Sequence, residues 1–227
     1  MQRLVSVIIP AYNEQDSISD CLDSVLNQAT DPELYEIILV DNASTDATAK
    51  IARDKGVRVI SEQKKGYVYA IRKGVEVSEG AILAFTDADC RVPFDWLSKI
   101  LEYFEKYPGI VAVGGKLSFY DLNPWMGSIS RAILYFADAL PGNNMAIKKE
   151  ALQRMGGINP HINLSVDYWL TINLKKVGPI KITHCLVVAT SGRRFTGAFV
   201  SHLYYLVNVI SLSFFNRPMF FDFPDVR

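Results

Sequence analysis

The chain has 227 residues and a mass of 25.4 kDa, which suits one large domain because domains cluster at about 100–200 residues. Hydrophobic residues make up 49% of the chain and charged residues 21%, a balance that excludes intrinsic disorder as the main state. The 24 basic and 24 acidic side chains cancel. The chain therefore lacks the basic excess of a nucleic-acid-binding protein, and no nucleic-acid partner is expected.

Apolar runs alternate with amphipathic helical patterns along the first hundred residues. Ile18, Cys21 and Leu22 begin a 3.6-residue apolar period, while Val5–Ile9 is a continuous β-branched run. Alternating strands and helices need crossover connections, so the pattern predicts an α/β fold with a doubly wound, mostly parallel sheet and helices on both faces. Strands are predicted at residues 5–9, 37–40, 57–60, 81–85 and 110–113, and helices at residues 16–29, 44–53, 67–77 and 96–104.

The alternation weakens after residue 113. Residues 116–145 show no steady period, which predicts a loop-rich region or a helix laid over the sheet. No repeat or linker marks a second folding unit. We therefore predict a single domain over residues 1–197 and a separate apolar, aromatic helix and tail over residues 198–227.

Polar residues follow three of the predicted strands. In an open α/β sheet, ligands bind beyond the carboxyl ends of the strands, where the strand order reverses. Each cluster alone also fits a helix cap, and for Asp46 capping is an equal alternative. Together the three clusters predict a polar site at one edge of the sheet; they are Ala11–Glu14, Asp41–Asp46 and Asp87–Asp89.

Asp87 and Asp89 form an Asp-x-Asp pair directly after an apolar strand. Two close carboxylates repel each other unless a cation lies between them, and their hard oxygen atoms favour Mg²⁺ or Mn²⁺. The alternative is a solvated turn with two helix-capping acids. No glycine-rich phosphate loop follows any predicted strand, which disfavours the usual dinucleotide-binding and P-loop folds.

Three ordered segments resemble a known family. Residues 5–14 (VSVIIPAYNE), 40–46 (VDNASTD) and 85–89 (FTDAD) resemble, in order and spacing, the signatures of family 2 glycosyltransferases. Those enzymes have the GT-A fold, use nucleotide-diphosphate sugars and invert the anomeric centre. The resemblance extends over roughly residues 4–195.

The resemblance implies a donor site at the polar edge of the sheet. The Asp-x-Asp pair would bind the ribose and a divalent metal on the diphosphate, with Asp87 and Asp89 as metal ligands. Lys65 and Arg72 are expected near the donor phosphates, although a solvated helix face is an equal alternative for both. Family members often carry an Arg one residue before Arg72, where this chain has Ile71. The residues expected to bind the donor are Pro10, Ala11, Tyr12, Glu14, Asp41, Lys65, Gly66, Arg72, Asp87 and Ala88.

The resemblance also implies an acceptor side and a general base. Asp167 falls at the position of the family's catalytic base, and Val166 replaces the Glu that usually precedes it. Without the resemblance, Asp167 would be interpreted as an acidic residue favoured by a helix dipole. The residues expected in the acceptor and sugar pocket are Gly142, Asn143, Asn144, Trp169, Arg193 and Arg194.

Arg193 and Arg194 form a basic pair beside a glycine. A guanidinium group pairs bidentately with phosphate oxygens, so this pair suits a diphosphate or a lipid phosphate. The Gln-x-x-Arg-Trp motif of the family's processive members is absent. A non-processive enzyme is therefore expected.

The cellular location of the protein is predicted from its cysteines and its apolar segments. Three scattered cysteines fit neither a disulfide framework nor a zinc site, and no apolar stretch reaches the roughly 20 residues that span a bilayer. A cytoplasmic location is expected. For the segment 198–215 we leave open a helix that closes the core, a homodimer interface and a helix lying on the cytoplasmic face of the membrane near a lipid-linked acceptor.

We therefore predict a metal-dependent, inverting, non-processive glycosyltransferase that moves a sugar from a nucleotide-diphosphate donor to a glycan or lipid-linked acceptor. One alternative is an aspartate-nucleophile phosphatase that uses Asp87, because such enzymes also carry Asp-x-Asp after an apolar strand. Another is a nucleotide-sugar-binding protein that has lost catalysis, for which Val166 is the hint. The sequence does not identify the base, the sugar or the acceptor.

Overall fold

The computed structural model describes residues 3–122, 139–162, 164–193, 207–212 and 219. Within these residues, one mixed sheet is flanked by helices. Its strands are β1 (Val5–Ala11), β2 (Tyr35–Asp41), β3 (Arg58–Ser61), β4 (Ile82–Phe85), β5 (Cys90–Arg91), β6 (Ala112–Phe119), β7 (Met145–Lys148) and β8 (Ile180–Thr190). The helices are α1 (Ile18–Leu26), α2 (Thr48–Asp54), α3 (Tyr67–Val77), α4 (Trp96–Lys106), α5 (Lys149–Arg154) and α6 (Val166–Val177), and a 3₁₀ turn covers Pro32–Leu34.

The strand order is β3-β2-β1-β4-β7-β6-β8-β5. The chain adds β2 and β3 on one side of β1 and then returns to place β4 on its other side, with all of these neighbours parallel. The order therefore reverses between β1 and β4. This reversal creates the crevice at the carboxyl ends of the strands in which such sheets bind ligands.

Helices cover both faces of the sheet because the side chains of β1 alternate between two buried clusters. Val7 and Ile9 pack in one cluster with the apolar faces of α1 and α4. Ile8 packs in the other cluster with α3, α5 and α6. The predicted α/β architecture with helices on both faces is confirmed.

The half of the sheet beyond β4 departs from the predicted elements. β6 continues to Phe119, and β7 pairs antiparallel with both β4 and β6. β5 adds a short antiparallel edge to β8. The prediction of an irregular region over 116–145 is therefore wrong for residues 116–119 and for Met145, which lie in strands, while the described residues 120–122 and 139–144 lie in neither a helix nor a strand. Residues 123–138 lie outside the described residues.

Part of the C-terminal segment is described. Residues 207–212 are helical, and Leu212 is buried in the same cluster as the apolar face of α6. The rest of the segment 198–215 lies outside the described residues. Among the helices that the structure describes, none is both long and apolar enough to cross a membrane.

Candidate active site

A cleft of about 230 Å³ opens at the carboxyl ends of β1 and β4. All three polar clusters predicted from the sequence reach this edge of the sheet. Most of the predicted donor residues line the cleft, and Asn42, Tyr67 and Ala70 join them. The full lining consists of Pro10, Ala11, Tyr12, Glu14, Asn42, Lys65, Gly66, Tyr67, Ala70, Asp87, Ala88 and Asp89.

The loops after β1 and β2 hold each other in place. Asn13 and Ala43 have φ values of 53° and 61°, in the left-handed region that few side chains adopt. The backbone amide of Asn13 donates a hydrogen bond to Ser44 Oγ over 3.0 Å. The side-chain oxygen Oδ1 of Asn13 accepts a hydrogen bond from the backbone amide of Thr45 over 2.8 Å. These contacts fix the backbone that forms one wall of the cleft.

Asn42 connects the β2 loop to the segment before α3. Its amide nitrogen donates to the carbonyls of Glu62 and Lys64, and its Oδ1 accepts a bond from the Gly66 amide over 2.8 Å. These three hydrogen bonds of the Asn42 side chain hold the segment that carries Lys65 beside the cleft. The sequence placed Asn42 at a strand end but did not reveal its role, because that role depends on a loop more than 20 residues away.

Lys65 and Tyr12 form the mouth of the cleft. Lys65 Nζ donates to Tyr12 Oη over 3.1 Å and lies 5.0 Å from the centre of the ring. The aromatic face can stack on a flat ring, and the ammonium group can pair with phosphate. The pair suits a nucleotide.

The predicted metal ligands occupy different environments. Asp87 is half-buried, and its Oδ1 accepts a bond from Tyr67 Oη over 3.4 Å. Asp89 is only 6% exposed. Its Oδ1 accepts a bond from Thr190 Oγ1 over 3.5 Å, while its Oδ2 lies 3.2 Å from a guanidinium nitrogen of Arg193.

Glu14 contributes a second buried carboxylate to this wall. It is 8% exposed, accepts a 2.7 Å bond from Ser17 Oγ and pairs with Arg193. Burial lowers the pKa of Arg193, but the bonds and charges of Glu14 and Asp89 outweigh it and raise that pKa above its ordinary value. Arg193 is therefore a permanent cation at the cleft.

The carboxylate oxygens of the cleft fit a divalent metal of the Mg²⁺ type. Asp87 and Asp89 offer carboxylate oxygens from the single short connection between β4 and β5, and both line the cleft. Among the described residues, no group of three or more His, Cys, Asp or Glu side chains has the arrangement of a closed metal site. Mg²⁺ is usually held by one or two carboxylates together with substrate phosphates and water, so two aspartates are sufficient.

Asp167 lies in the first turn of α6, beside the cleft. It is half-buried, and its Oδ1 accepts a 2.8 Å bond from the Tyr168 amide. A Cβ atom built on Gly142 would lie 3.3 Å from Asp167 Cβ and 3.5 Å from Tyr67 Oη. Because Tyr67 also contacts Asp87, the predicted base and one predicted metal ligand both lie near the Tyr67 hydroxyl.

Several predicted residues lie elsewhere. Arg72 is exposed on α3 and donates to the Ile158 carbonyl over 2.6 Å, so the structure does not bring it to the cleft. Asp41 is nearly buried and accepts a bond from the Ser44 amide. Asp46 caps α2 through the amide and hydroxyl of Thr48, as the capping alternative predicted.

The residues predicted for the acceptor pocket do not all lie at the cleft. Asn144 is buried, accepts a hydrogen bond from Trp96 Nε1 and donates to two backbone carbonyls. Its side chain therefore connects parts of the core and has a structural role. Trp169 is 8% exposed within the core cluster of α6. Asn143 stays near the site, because its amide donates to Thr190 Oγ1 over 3.3 Å. Arg194 lies outside the described residues.

Two cysteines near Asp87 and Asp89 have protonated, unreactive thiols. Cys21 Sγ donates to the Asp87 carbonyl, and Cys90 is fully buried beside it. Burial, reinforced by nearby negative groups, raises the pKa of both thiols well above the ordinary value. Both stay protonated near neutral pH and offer no thiolate ligand or nucleophile.

Comparison with known proteins identifies the family. The model of glycosyl transferase family 2 matches residues 6–164, a span that includes both predicted metal ligands. The chain belongs to this family. Its sheet topology agrees with the GT-A fold that the resemblance implied, and the phosphatase hypothesis loses its support.

Relatives from several organisms agree with this assignment. The glycosyltransferase AglE of Haloferax volcanii is 40% identical over 121 residues, which cover 51% of this chain and 40% of AglE. An uncharacterised glycosyltransferase of Mycobacterium tuberculosis is 28% identical over 164 residues, which cover 68% of this chain and 72% of the relative. The chain thus spans less than half the length of AglE.

Solved structures agree on the fold. The mannosyltransferase PcManGT from Pyrobaculum calidifontis, solved in complex with GDP-Man and Mn²⁺, superposes with a TM-score of 0.78 at 21% identity. The superposition covers 94% of this chain and 64% of that one. TarS of S. aureus, solved with UDP-GlcNAc, superposes with a TM-score of 0.71 at 17% identity.

Proposed function

We propose that the chain transfers a sugar from a nucleoside-diphosphate sugar to an acceptor hydroxyl, with inversion and without processive extension. The observation that carries the proposal is that Asp87 and Asp167, on different elements, both lie near the Tyr67 hydroxyl. A transferase needs its leaving-group site and its base close to one reacting centre.

The donor would bind across the carboxyl ends of β1 and β4. The Tyr12 ring offers a stacking surface for the base, and Lys65 and Arg193 lie where they can pair with phosphate oxygens. Asp87 and Asp89 would hold a divalent cation. Such an ion, when bound, neutralises the charge that develops on the departing nucleoside diphosphate.

Asp167 would accept the proton of the attacking hydroxyl. Asp167 lies in the first turn of α6, where the helix dipole favours a negative charge. An ionised carboxylate can take up that proton during attack. An acceptor approaching past Gly142 meets no side chain at that position, since glycine ends at Cα.

Val166 does not weaken the proposal of an active enzyme. It is 3% exposed and packs in the cluster that α6 forms with the sheet. A side chain at this position faces the core, so the replacement of the family's usual Glu removes no group from the cleft. The alternative of an inactive binding protein thereby loses its only hint.

Mn²⁺ bound to the mannosyltransferase of P. calidifontis supports a divalent metal here, and the nucleotide sugars named for that protein and for TarS support the donor class. The acceptor class of this chain is proposed to be a glycan or a lipid-linked sugar. We further propose contact with a membrane surface or a second copy through the C-terminal segment.

The variant Asp167→Asn tests the proposed base. The substitution keeps the shape of the side chain but removes its ability to take a proton. We expect turnover to fall by about 10²- to 10⁴-fold with nucleotide affinity unchanged. The measurement is release of nucleoside diphosphate over a panel of sugar donors and acceptors, with calorimetry for nucleotide binding.

Asp20→Asn is the matched control, because Asp20 also lies in the first turn of a helix but is exposed and pairs with Arg91. It should retain full turnover. Full activity in Asp167→Asn, or an equal loss in both variants, would contradict the role of Asp167.

A further inference from the structure

Arg193 lies across two acidic side chains of the cleft. One guanidinium nitrogen pairs with Glu14 Oε1 and lies 3.2 Å from Asp89 Oδ2. The Arg193 side chain is 44% exposed, whereas those of Glu14 and Asp89 are 9% and 6% exposed. A half-exposed cation from the loop after β8 thus pairs with two buried carboxylates.

The pairing has a clear electrostatic reason. Two buried carboxylates on one wall repel each other and lose hydration, so each needs a nearby positive charge to remain ionised. Arg193 supplies that charge to both. A divalent cation bound through Asp89 would supply the same charge to the same oxygen.

The position of Arg193 is built into the fold. The preceding Ser191 hydroxyl and Gly192 amide both donate to the Asp121 carboxylate after β6. The Arg193 amide in turn donates to Ser191 Oγ over 3.2 Å. These contacts hold the backbone of the loop beside the cleft, within reach of Glu14 and Asp89.

We propose that Arg193 is a resident counter-cation that competes with the divalent metal for Asp89 and thereby couples metal binding to nucleotide binding. The proposal rests on the metal site of the proposed function. A metal that reaches Asp89 Oδ2 must displace the guanidinium group. A nucleoside diphosphate offers phosphate oxygens with which a guanidinium group pairs bidentately, so nucleotide lowers the cost of that displacement.

The coupling is reciprocal. If nucleotide raises the affinity for metal by some factor, metal raises the affinity for nucleotide by the same factor. In the absence of nucleotide, the wild-type chain should therefore bind Mn²⁺ weakly. This arrangement would keep the metal site closed until the donor arrives.

The test measures Mn²⁺ binding to the full, nucleotide-free chain from the paramagnetic resonance signal of free Mn²⁺. Arg193→Gln removes the charge, and we expect it to tighten Mn²⁺ binding about tenfold or more, because a unit charge beside the ion is lost. Arg193→Lys keeps the charge and should stay within about threefold of wild type. Adding Asp89→Ala to Arg193→Gln should abolish the gain.

Arg91→Gln is the matched control. Arg91 is also a half-exposed arginine near the cleft, but it pairs with Asp20 and stacks on Tyr120. It should leave Mn²⁺ affinity unchanged. Equal tightening in Arg193→Gln, Arg193→Lys and Arg91→Gln would mean that the loss of the Asp89 pairing is not the cause and would overturn the proposal.

Calorimetry of nucleoside diphosphates with Mn²⁺ on the wild type separates this inference from the proposed function. Metal-dependent nucleotide binding by the wild type, without tighter Mn²⁺ binding in nucleotide-free Arg193→Gln, overturns the counter-cation alone. Absence of Mn²⁺ and nucleotide binding in every form overturns both. Tighter Mn²⁺ binding in Arg193→Gln, reversed by Asp89→Ala, supports both.

Discussion

Gly142 is the residue that leaves room beside the proposed base. A Cβ atom at this position would lie 3.3 Å from Asp167 Cβ, closer than ordinary van der Waals contact. Gly142→Ala should therefore move Asp167 by a few tenths of an ångström. Since a base acts only within hydrogen-bond reach, we expect kcat to fall about tenfold.

Steady-state kinetics and thermal unfolding together check this expectation. The melting temperature should change little, because the displaced groups border the cleft. Gly109→Ala is the control, since a Cβ atom there meets nothing within 4 Å. Unchanged kcat in Gly142→Ala would mean that Asp167 does not need its present position.

The sequence predicted the acidic residues of the site better than the amides. Glu14, Asp87 and Asp89 reach the cleft because each directly follows a strand whose position the alternating pattern predicts. Asn143 and Asn144 are adjacent in the sequence, yet one approaches Thr190 and the other pairs with Trp96 in the core. That difference depends on long-range partners, which a local motif does not specify.

The three parallel strands β1, β2 and β3 are tied together by a buried carboxylate. Glu36 on β2 accepts a 2.7 Å bond from Ser6 Oγ on β1 and a 3.0 Å bond from Arg58 on β3. Burial raises the pKa of Glu36, but these bonds, the Glu79 amide and the charge of Arg3 outweigh it and bring that pKa below its ordinary value.

This network predicts a pH dependence of stability. A carboxyl group with a lowered pKa in the folded state stabilises the protein above its unfolded pKa, and that stabilisation is lost as pH falls through the folded pKa. Urea unfolding between pH 7 and pH 3 should therefore show a fall in stability on the acid side that Glu36→Gln makes shallower. An identical slope in the variant would contradict the network.

Helix α3 packs unusually close to the sheet at Gly74. A Cβ atom there would lie 2.4 Å from Ile8 Cγ2 and 3.3 Å from Val40 Cγ2, both on buried strands. Because the 2.4 Å approach is a severe overlap, overpacking in Gly74→Ala should cost about 2–3 kcal/mol. Alanine favours a helix over glycine by roughly 1 kcal/mol, so we expect a net destabilisation of about 1–2 kcal/mol.

Equilibrium unfolding in guanidinium chloride measures this cost, again with Gly109→Ala as the control. A variant as stable as wild type would mean that α3 can shift away from the sheet. Because α3 begins at Tyr67 in the cleft, a shift of this helix should also reduce turnover.

At the element level, the sequence predicted the regular half of the sheet and not the other half. β1 to β4 follow the strand–helix alternation, so their parallel pairing follows from the crossover connections. β7 is a four-residue strand that follows no crossover helix in the predicted pattern. Its antiparallel pairing depends on β4 and β6, more than 25 residues away, and not on local periodicity.

For the whole molecule, the strand reversal at β1 explains why a short chain can hold a complete candidate site. Three polar loops distant in sequence meet at one edge, and β8 brings Arg193 to them. The mannosyltransferase of P. calidifontis shares this fold at only 21% identity. Conserved architecture at low identity leaves substrate choice to side chains around the cleft.

The proposed function requires the cleft to bind a nucleoside diphosphate together with a divalent metal on Asp89. The direct measurement is calorimetric titration of a panel of nucleoside diphosphates, with and without Mn²⁺, on the wild type, Asp89→Ala and the surface control Asp54→Ala. Asp54 is exposed and pairs with Lys50 on α2, away from the cleft.

We predict that one nucleotide binds the wild type and Asp54→Ala only with Mn²⁺, and that Asp89→Ala loses this binding. The identity of that nucleotide would narrow the donor sugars to be assayed. Absence of binding by folded wild-type protein, or equal metal-dependent binding by Asp89→Ala, would contradict the account.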